Sequence, residues 1–130
     1  MRYVTAAIMV RDAQILLGRR KSGGMIGGKW EFPGGKLEAG ERPEDGIRRE
    51  IREELGIAVR VGDFLGSSRF KSGPRSFELL AYLVTPLSNA YTLAEHDEIR
   101  WVPLEELTTY DLPESDMDLI PLIRAALHKR

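Results

Sequence analysis

Between Pro43 and Leu55 the chain places Ile47, Ile51 and Leu55 four residues apart, with Pro43 at the head of the run and Gly56 just past its end. That recurrence draws one apolar stripe on a helix. Proline suits the first turn, and glycine suits the left-handed stop. A helix with a single apolar stripe needs a surface to cover, and its neighbours in sequence supply strands. Tyr3–Val10, the polar turn Arg11–Gln14 and Ile15–Gly18 predict a hairpin. Trp30–Phe32 predicts a short extended piece stopped by Pro33-Gly34-Gly35. Ile57–Phe64 and Phe77–Thr85 read as strands around a turn at Lys71–Arg75, and Glu98–Val102 reads as a last strand. Leu119, Ile120, Ile123 and Leu127 predict a closing amphipathic helix over Met117–Leu127. Lys21–Lys29, rich in glycine and without period, predicts an exposed, mobile loop. Strands, a helix, more strands and a helix predict an α+β or mixed α/β sandwich.

The same helix carries charges where local energetics oppose them. At about 100° per residue, Glu50, Glu53 and Glu54 share an arc a quarter turn from the apolar stripe. Like charges at i and i+4 cost a few tenths of a kcal/mol, roughly, and anions in a last turn cost about 0.3–1 kcal/mol each against the helix dipole. Two readings account for the ridge. One is a solvated acidic face eased by neighbouring Arg48, Arg49 and Arg52. The other is half of a site that a cation completes, in which hard oxygen ligands select Mg²⁺ or Mn²⁺. Helix spacing does not choose between them.

Composition narrows the partners. The 130 residues, at 14.7 kDa and 42% apolar, suit one hydrophobic core, so a single domain over 1–130 is expected. Nineteen basic residues face twenty acidic ones, which gives no long-range attraction to a nucleic acid polymer or an anionic membrane. The absence of cysteine excludes disulfides, thiolate metal sites and cysteine nucleophiles. The longest nearly unbroken apolar run, Val4–Val10, is seven residues, short of the ~18 a spanning helix needs. It follows no basic leader, so a cytoplasmic protein is expected.

The sequence around the acidic helix decides the cation question. From Gly35, five residues lead to Glu41, seven more to Arg49, and then run Glu50-Ile51-Arg52-Glu53-Glu54-Leu55-Gly56-Ile57. This is identified as the signature of the Nudix hydrolases, G-x5-E-x7-R-E-U-x-E-E-x-G-U with U apolar, filled at every fixed position. Trp30-Glu31-Phe32-Pro33-Gly34-Gly35-Lys36 resembles the segment that precedes the signature in the MutT and CTP pyrophosphohydrolase branch. The resemblance implies an α/β/α sandwich with a mixed curved β-sheet.

It also implies roles. Glu50, Glu53, Glu54 and the Gly34 carbonyl are the implied ligands of Mg²⁺ or Mn²⁺, with a further glutamate from a later loop, for which Glu95 has the best spacing in Glu95-His96-Asp97-Glu98. Arg49 is implied to orient Glu53, four residues on. The implied catalytic set is Glu53, Glu50 and Arg49; Glu53, Glu50 and Glu95 all stand as candidates for the general base. Arg20 and Lys36 are implied phosphate contacts, and Phe32 a wall of the base pocket. In the base-reading loop the oxidised-guanine enzyme carries asparagine; this chain places Asp116 or Asp118 there. An ionised carboxylate only accepts hydrogen bonds, which suits an exocyclic amine such as that of cytosine.

The implied reaction is hydrolysis of a (deoxy)nucleoside triphosphate, modified, oxidised like 8-oxo-dGTP, or of CTP/dCTP type, to the monophosphate and pyrophosphate. That is a house-cleaning role for a monomer or homodimer. Hydrolysis of another nucleoside diphosphate conjugate, such as ADP-ribose or a dinucleoside polyphosphate, is the alternative within the family, and a non-catalytic nucleotide-binding module the alternative outside it. Other motifs fall away. Gly23, Gly28 and Lys29 imitate a phosphate-binding loop, but Trp30 stands where its hydroxyl residue belongs. His96 and His128 are too far apart in sequence to suggest a metal pair, and Pro74 sits in an evident turn.

Overall fold

A computed structural model describes residues 2–21 and 27–128. Part of the glycine-rich stretch expected as a loop, residues 22–26, lies outside the described residues. Among the described residues, six strands form one mixed sheet: β1 (Arg2–Arg11), β2 (Gln14–Arg20), β3 (Trp30–Glu31), β4 (Val59–Ser72), β5 (Arg75–Pro86) and β6 (His96–Pro103). β1 runs parallel to β5, while β4 lies antiparallel on β5 and β6 antiparallel on β2. Helix α1 (Pro43–Leu55) covers one face, and the short helices α2 (Glu114–Met117) and α3 (Ile120–His128) cover the other. The expected helix–sheet–helix sandwich is therefore present.

The pleat of β1 and β2 divides the core between those faces. Ala7, Met9 and Leu16 pack with Ile47, Ile51 and Leu55 of α1, whereas Ala6, Ile8, Ile15 and Leu17 pack with Leu119, Ile120 and Ile123. Burying each large aliphatic side chain contributes about 1.5–3 kcal/mol, so the three fully buried residues of the α1 stripe outweigh the dipole cost of its acids. The helix starts at Pro43 and stops at Gly56, whose φ of 70° is left-handed and whose N–H donates to the Arg52 carbonyl.

Several boundaries differ from those the sequence predicts. β4 extends through Ser72 instead of ending at Phe64, because register shifts between Val61, Phe64 and Gly66 break the alternation while pairing continues. The turn to β5 narrows to Gly73-Pro74. β6 begins at His96, two residues early. The closing helix is two helices, interrupted around Asp118-Leu119; the apolar period survives the interruption, which is why sequence does not reveal it.

One departure from regular pairing creates the site. β2 pairs with β1 only near their shared turn, at Val10–Ile15 and Arg11–Gln14. The segment Pro33–Leu37 then lies along β1 in its place, through Ala7 N–H to the Pro33 carbonyl (2.7 Å), Thr5 N–H to the Gly35 carbonyl (2.8 Å) and Leu37 N–H to the Tyr3 carbonyl (3.0 Å). Thr5 Oγ1 donates to the same Gly35 carbonyl at 3.2 Å.

Candidate active site

An open cavity of about 660 Å³ lies where β1 and β2 part. Gly34, Glu50, Glu53, Glu54 and Glu95 line it, and so do Arg20, Phe32, Lys36 and Asp116. Arg49 is the one residue of the expected set outside the lining. Asp118 is exposed and does not line it, so of the two aspartates only Asp116 faces this space.

The acidic ridge of α1 is graded by depth. Glu53 is exposed, Glu50 half-buried, and Glu54 only 5% exposed. Burial raises the Glu54 carboxyl well above the ordinary range, and a hydrogen bond to Glu50 with the nearby Glu31 and Glu50 charges pushes it the same way; a backbone hydrogen bond from Gly34 opposes them. The expected Glu50–Glu54 like-charge repulsion is thereby eased, because a carboxyl raised this far holds a proton more readily and can share it in a hydrogen bond with Glu50. Glu54 Oε1 is buried and finds no hydrogen-bond partner among the described residues.

Arg49 organises the ridge from behind. Its Nε and Nη2 donate to the two Glu41 oxygens at 2.8 and 2.9 Å, Nη2 also to the Lys36 carbonyl at 3.1 Å, and Nη1 to Glu50 Oε1 at 2.9 Å. Glu53 stands farther off, at 3.4 Å. Arg49 therefore engages Glu50 more closely than the expected Glu53. The Arg49 guanidinium and the Glu38 N–H hold Glu41 down at about 2, and Glu41 in turn raises Arg49. Sequence gave Glu41 a place in the signature but no task; it fixes the arginine.

Glycine is required beside the ridge. A Cβ on Gly35 would fall on the Glu50 carboxylate, and one on Gly34, at φ 150°, on the Thr5 carbonyl. The loop carrying Glu95 is tied to the end of α1 by Thr92 N–H to the Leu55 carbonyl (2.9 Å) and Ala94 N–H to the Glu54 carbonyl (3.1 Å). Glu95 Oε2 lies 3.7 Å from Arg20 Nη1. Glu98 pairs instead with Arg100 at 2.6 Å.

Elsewhere in the lining, Phe32 is 4% exposed, and its backbone N–H donates to Asp116 Oδ2 at 3.0 Å. Phe32 is thus both core and cavity wall. Burial raises Asp116 to about 7; the Phe32 hydrogen bond works against that shift, and the Glu31 charge adds to it. A carboxyl lifted this far is an acceptor only when ionised, as expected, and when it carries its proton it can also donate.

Sequence reading missed Glu31 and His96. With Glu54 they form the trio of ligand-type atoms within 4.8 Å of one another among the described residues; exposed Glu53 and Glu95 are not in it. His96 is 1% exposed, with Nε2 2.9 Å from Glu31 Oε2. The available signal was a histidine directly beside the candidate Glu95, weighed only for a histidine partner.

The site suits a divalent cation. Its donors are carboxylates and carbonyls, one buried carboxylate oxygen is orphaned, and glycine leaves the approach to Glu50 open. Comparison with known proteins agrees with this geometry. The NUDIX domain family matches residues 1–123, and the chain belongs to it. It is a Nudix hydrolase. The CTP pyrophosphohydrolase of Escherichia coli K12 is 37% identical over 127 residues, covering 98% of this chain and 92% of that protein. The 8-oxo-dGTP diphosphatase of Proteus vulgaris is 38% identical over 91 residues, 69% of this chain and 81% of that protein. The solution structure of the E. coli ORF135 protein superimposes with a TM-score of 0.89 at 35% identity, covering 100% of this chain and 93% of that one.

Proposed function

We propose that the protein is a Mg²⁺-dependent pyrophosphohydrolase that converts (deoxy)nucleoside triphosphates, modified or of CTP/dCTP type, to monophosphate and pyrophosphate. The observation that carries this reading is one cavity lined both by the carboxylates of the α1 ridge and by Phe32 with Asp116. A triphosphate on the ridge and a base against Phe32 fill it together. Similarity to a CTP pyrophosphohydrolase and to an 8-oxo-dGTP diphosphatase supports the nucleotide class.

Glu50, Glu53, Glu54, Glu95 and the Gly34 carbonyl would hold Mg²⁺, which neutralises polyphosphate charge and lowers the pKa of an attacking water. Arg20 and Lys36, on the cavity wall, take the remaining phosphate charge. Water attacks a phosphorus of the chain, the bridging P–O bond breaks, pyrophosphate leaves, and a carboxylate accepts the water's proton. We assign that proton to Glu53, because Glu50 is already engaged by Arg49 and Glu54. Asp116 reads the base: ionised it accepts from an exocyclic amine, and protonated it also donates. The role that follows is sanitation of the nucleotide pool, in the cytoplasm.

A panel of CTP, dCTP, 5-methyl-dCTP, 8-oxo-dGTP and ADP-ribose, assayed with Mg²⁺ for pyrophosphate release, tests this. Pyrophosphate from a triphosphate supports the reading. Release of AMP from ADP-ribose with no triphosphate turnover overturns it.

A further inference from the structure

Glu31 lines the nucleotide cavity, and two groups approach the same oxygen of its carboxylate, one at hydrogen-bond geometry and one as an ion pair. His96 Nε2 lies 2.9 Å from Oε2, and Arg20 Nε lies 3.3 Å from it. The imidazole comes from the strand behind. β6 opposes Arg19 with Glu98 and Arg20 with His96, so Asp97 is an extra residue that bulges out, and the register shift sets His96 against the end of β2. The ring lies over Gly18, where a Cβ would stand 2.6 Å from Cδ2 and 2.8 Å from Cγ of His96. Gly18 has no left-handed φ to explain it; the space it leaves is filled by the imidazole.

The ring's second nitrogen fixes its state. His96 Nδ1 is buried and has no hydrogen-bond partner among the described residues. A proton there would strand a donor away from water, at a cost of about 1–3 kcal/mol, so the proton belongs on Nε2, which donates to Glu31. By distance, Glu31, Glu54 and His96 could instead surround a metal ion. The Arg20 guanidinium, 3.3 Å from Glu31 Oε2, argues against that, since it already supplies positive charge at this carboxylate.

We propose that His96 is a positioning residue: through the Nε2–H bond it holds the Glu31 carboxylate in one orientation in the nucleotide cavity, and so acts on substrate binding through Glu31. The inference rests on the nucleotide reading of the cavity given above. Residues that orient a contacting group commonly carry 10–100-fold, roughly, of the function they support.

The test is a double-mutant cycle on the intact enzyme with the best triphosphate of the panel, comparing wild type, His96→Phe, Glu31→Gln and the double variant. His96→Phe is expected to raise KM about tenfold with kcat within about threefold, and to add nothing once Glu31 is glutamine. Gly18→Ala, which drives a methyl into the imidazole, is expected to reproduce the KM rise and its loss in the Glu31→Gln background. It keeps the test available if His96→Phe does not fold. ¹⁵N NMR of the wild-type imidazole is expected to show the proton on Nε2 and none on Nδ1. Additive losses, an effect on kcat alone, or a proton on Nδ1 overturns the proposal. If wild type releases pyrophosphate from no triphosphate, the functional reading falls, and the NMR measurement still decides whether His96 donates to Glu31.

Discussion

Glu54→Gln separates the two demands on the buried acid of α1. In the metal-free protein, Glu54 is 5% exposed, its Oε1 lacks a partner and its carboxyl is raised by burial. Glutamine has nearly the same shape; its amide can donate to Glu50 and accept from the Gly34 N–H, with no proton to take up on folding. A buried polar group left unpaired costs on the order of 1–3 kcal/mol, and at this chain length 1 kcal/mol moves Tm by about 3–5 °C. Metal-free Glu54→Gln is therefore expected to melt ~3–15 °C above wild type at pH 8. The sign with pH follows from linkage. A carboxyl raised in the folded state keeps its full contribution below the unfolded value of 4.5 and loses it as pH rises toward the folded one, so wild type weakens over that range. The variant lacks that slope. Mg²⁺ reverses the order: at 100 times its Kd it adds about 2.7 kcal/mol to wild type, and much less to a variant without that ligand. Thermal melts of EDTA-treated protein at pH 5–9, with and without Mg²⁺, measure each quantity. A variant less stable than wild type without metal, or an equal Mg²⁺ increment in both, would refute this account of Glu54.

Other substitutions probe the rest of the site. Glu53→Gln is expected to lower kcat by at least about 100-fold with Tm nearly unchanged, since Glu53 is exposed and only 3.4 Å from Arg49 at its nearest; steady-state pyrophosphate release checks it. Arg49→Lys removes the two-pronged bond to Glu41 and the contact to Glu50, so kcat should fall by ~10–100-fold, as expected when an orienting group is lost. Asp116→Asn fixes a group that is half-protonated near pH 7. Its stability should lose the decline that wild type shows as pH rises from 3.8 through about 7, and its preference among the panel bases should no longer change across that range, as melts and kcat/KM at pH 6 and 8 will show.

Sequence exposed the parts of this molecule whose cause is local. The α1 stripe, Pro43 and Gly56 determine the helix and its ends, and the strand order follows from short apolar runs between turns. It concealed what depends on distant pairing. The continuation of β4 past Phe64 depends on bulges that its partner β5 accommodates. The interruption between α2 and α3 sits beside Asp116, which turns inward to take the N–H of Phe32, 84 residues away. His96 was read against His128, while its partner is Glu31, 65 residues distant and brought to it by β2 and β6. The protonation of Glu54 and Asp116 was illegible for the same reason: burial is a property of the packed sheet and its two helical layers.

The most direct test of the central claim is ³¹P NMR of the products formed from CTP or dCTP in millimolar Mg²⁺. One pyrophosphate per nucleoside monophosphate, with neither orthophosphate nor nucleoside diphosphate and no turnover by Glu53→Gln, is the result expected. Orthophosphate with nucleoside diphosphate, or wild-type rates in Glu53→Gln, would contradict the assignment of this cavity.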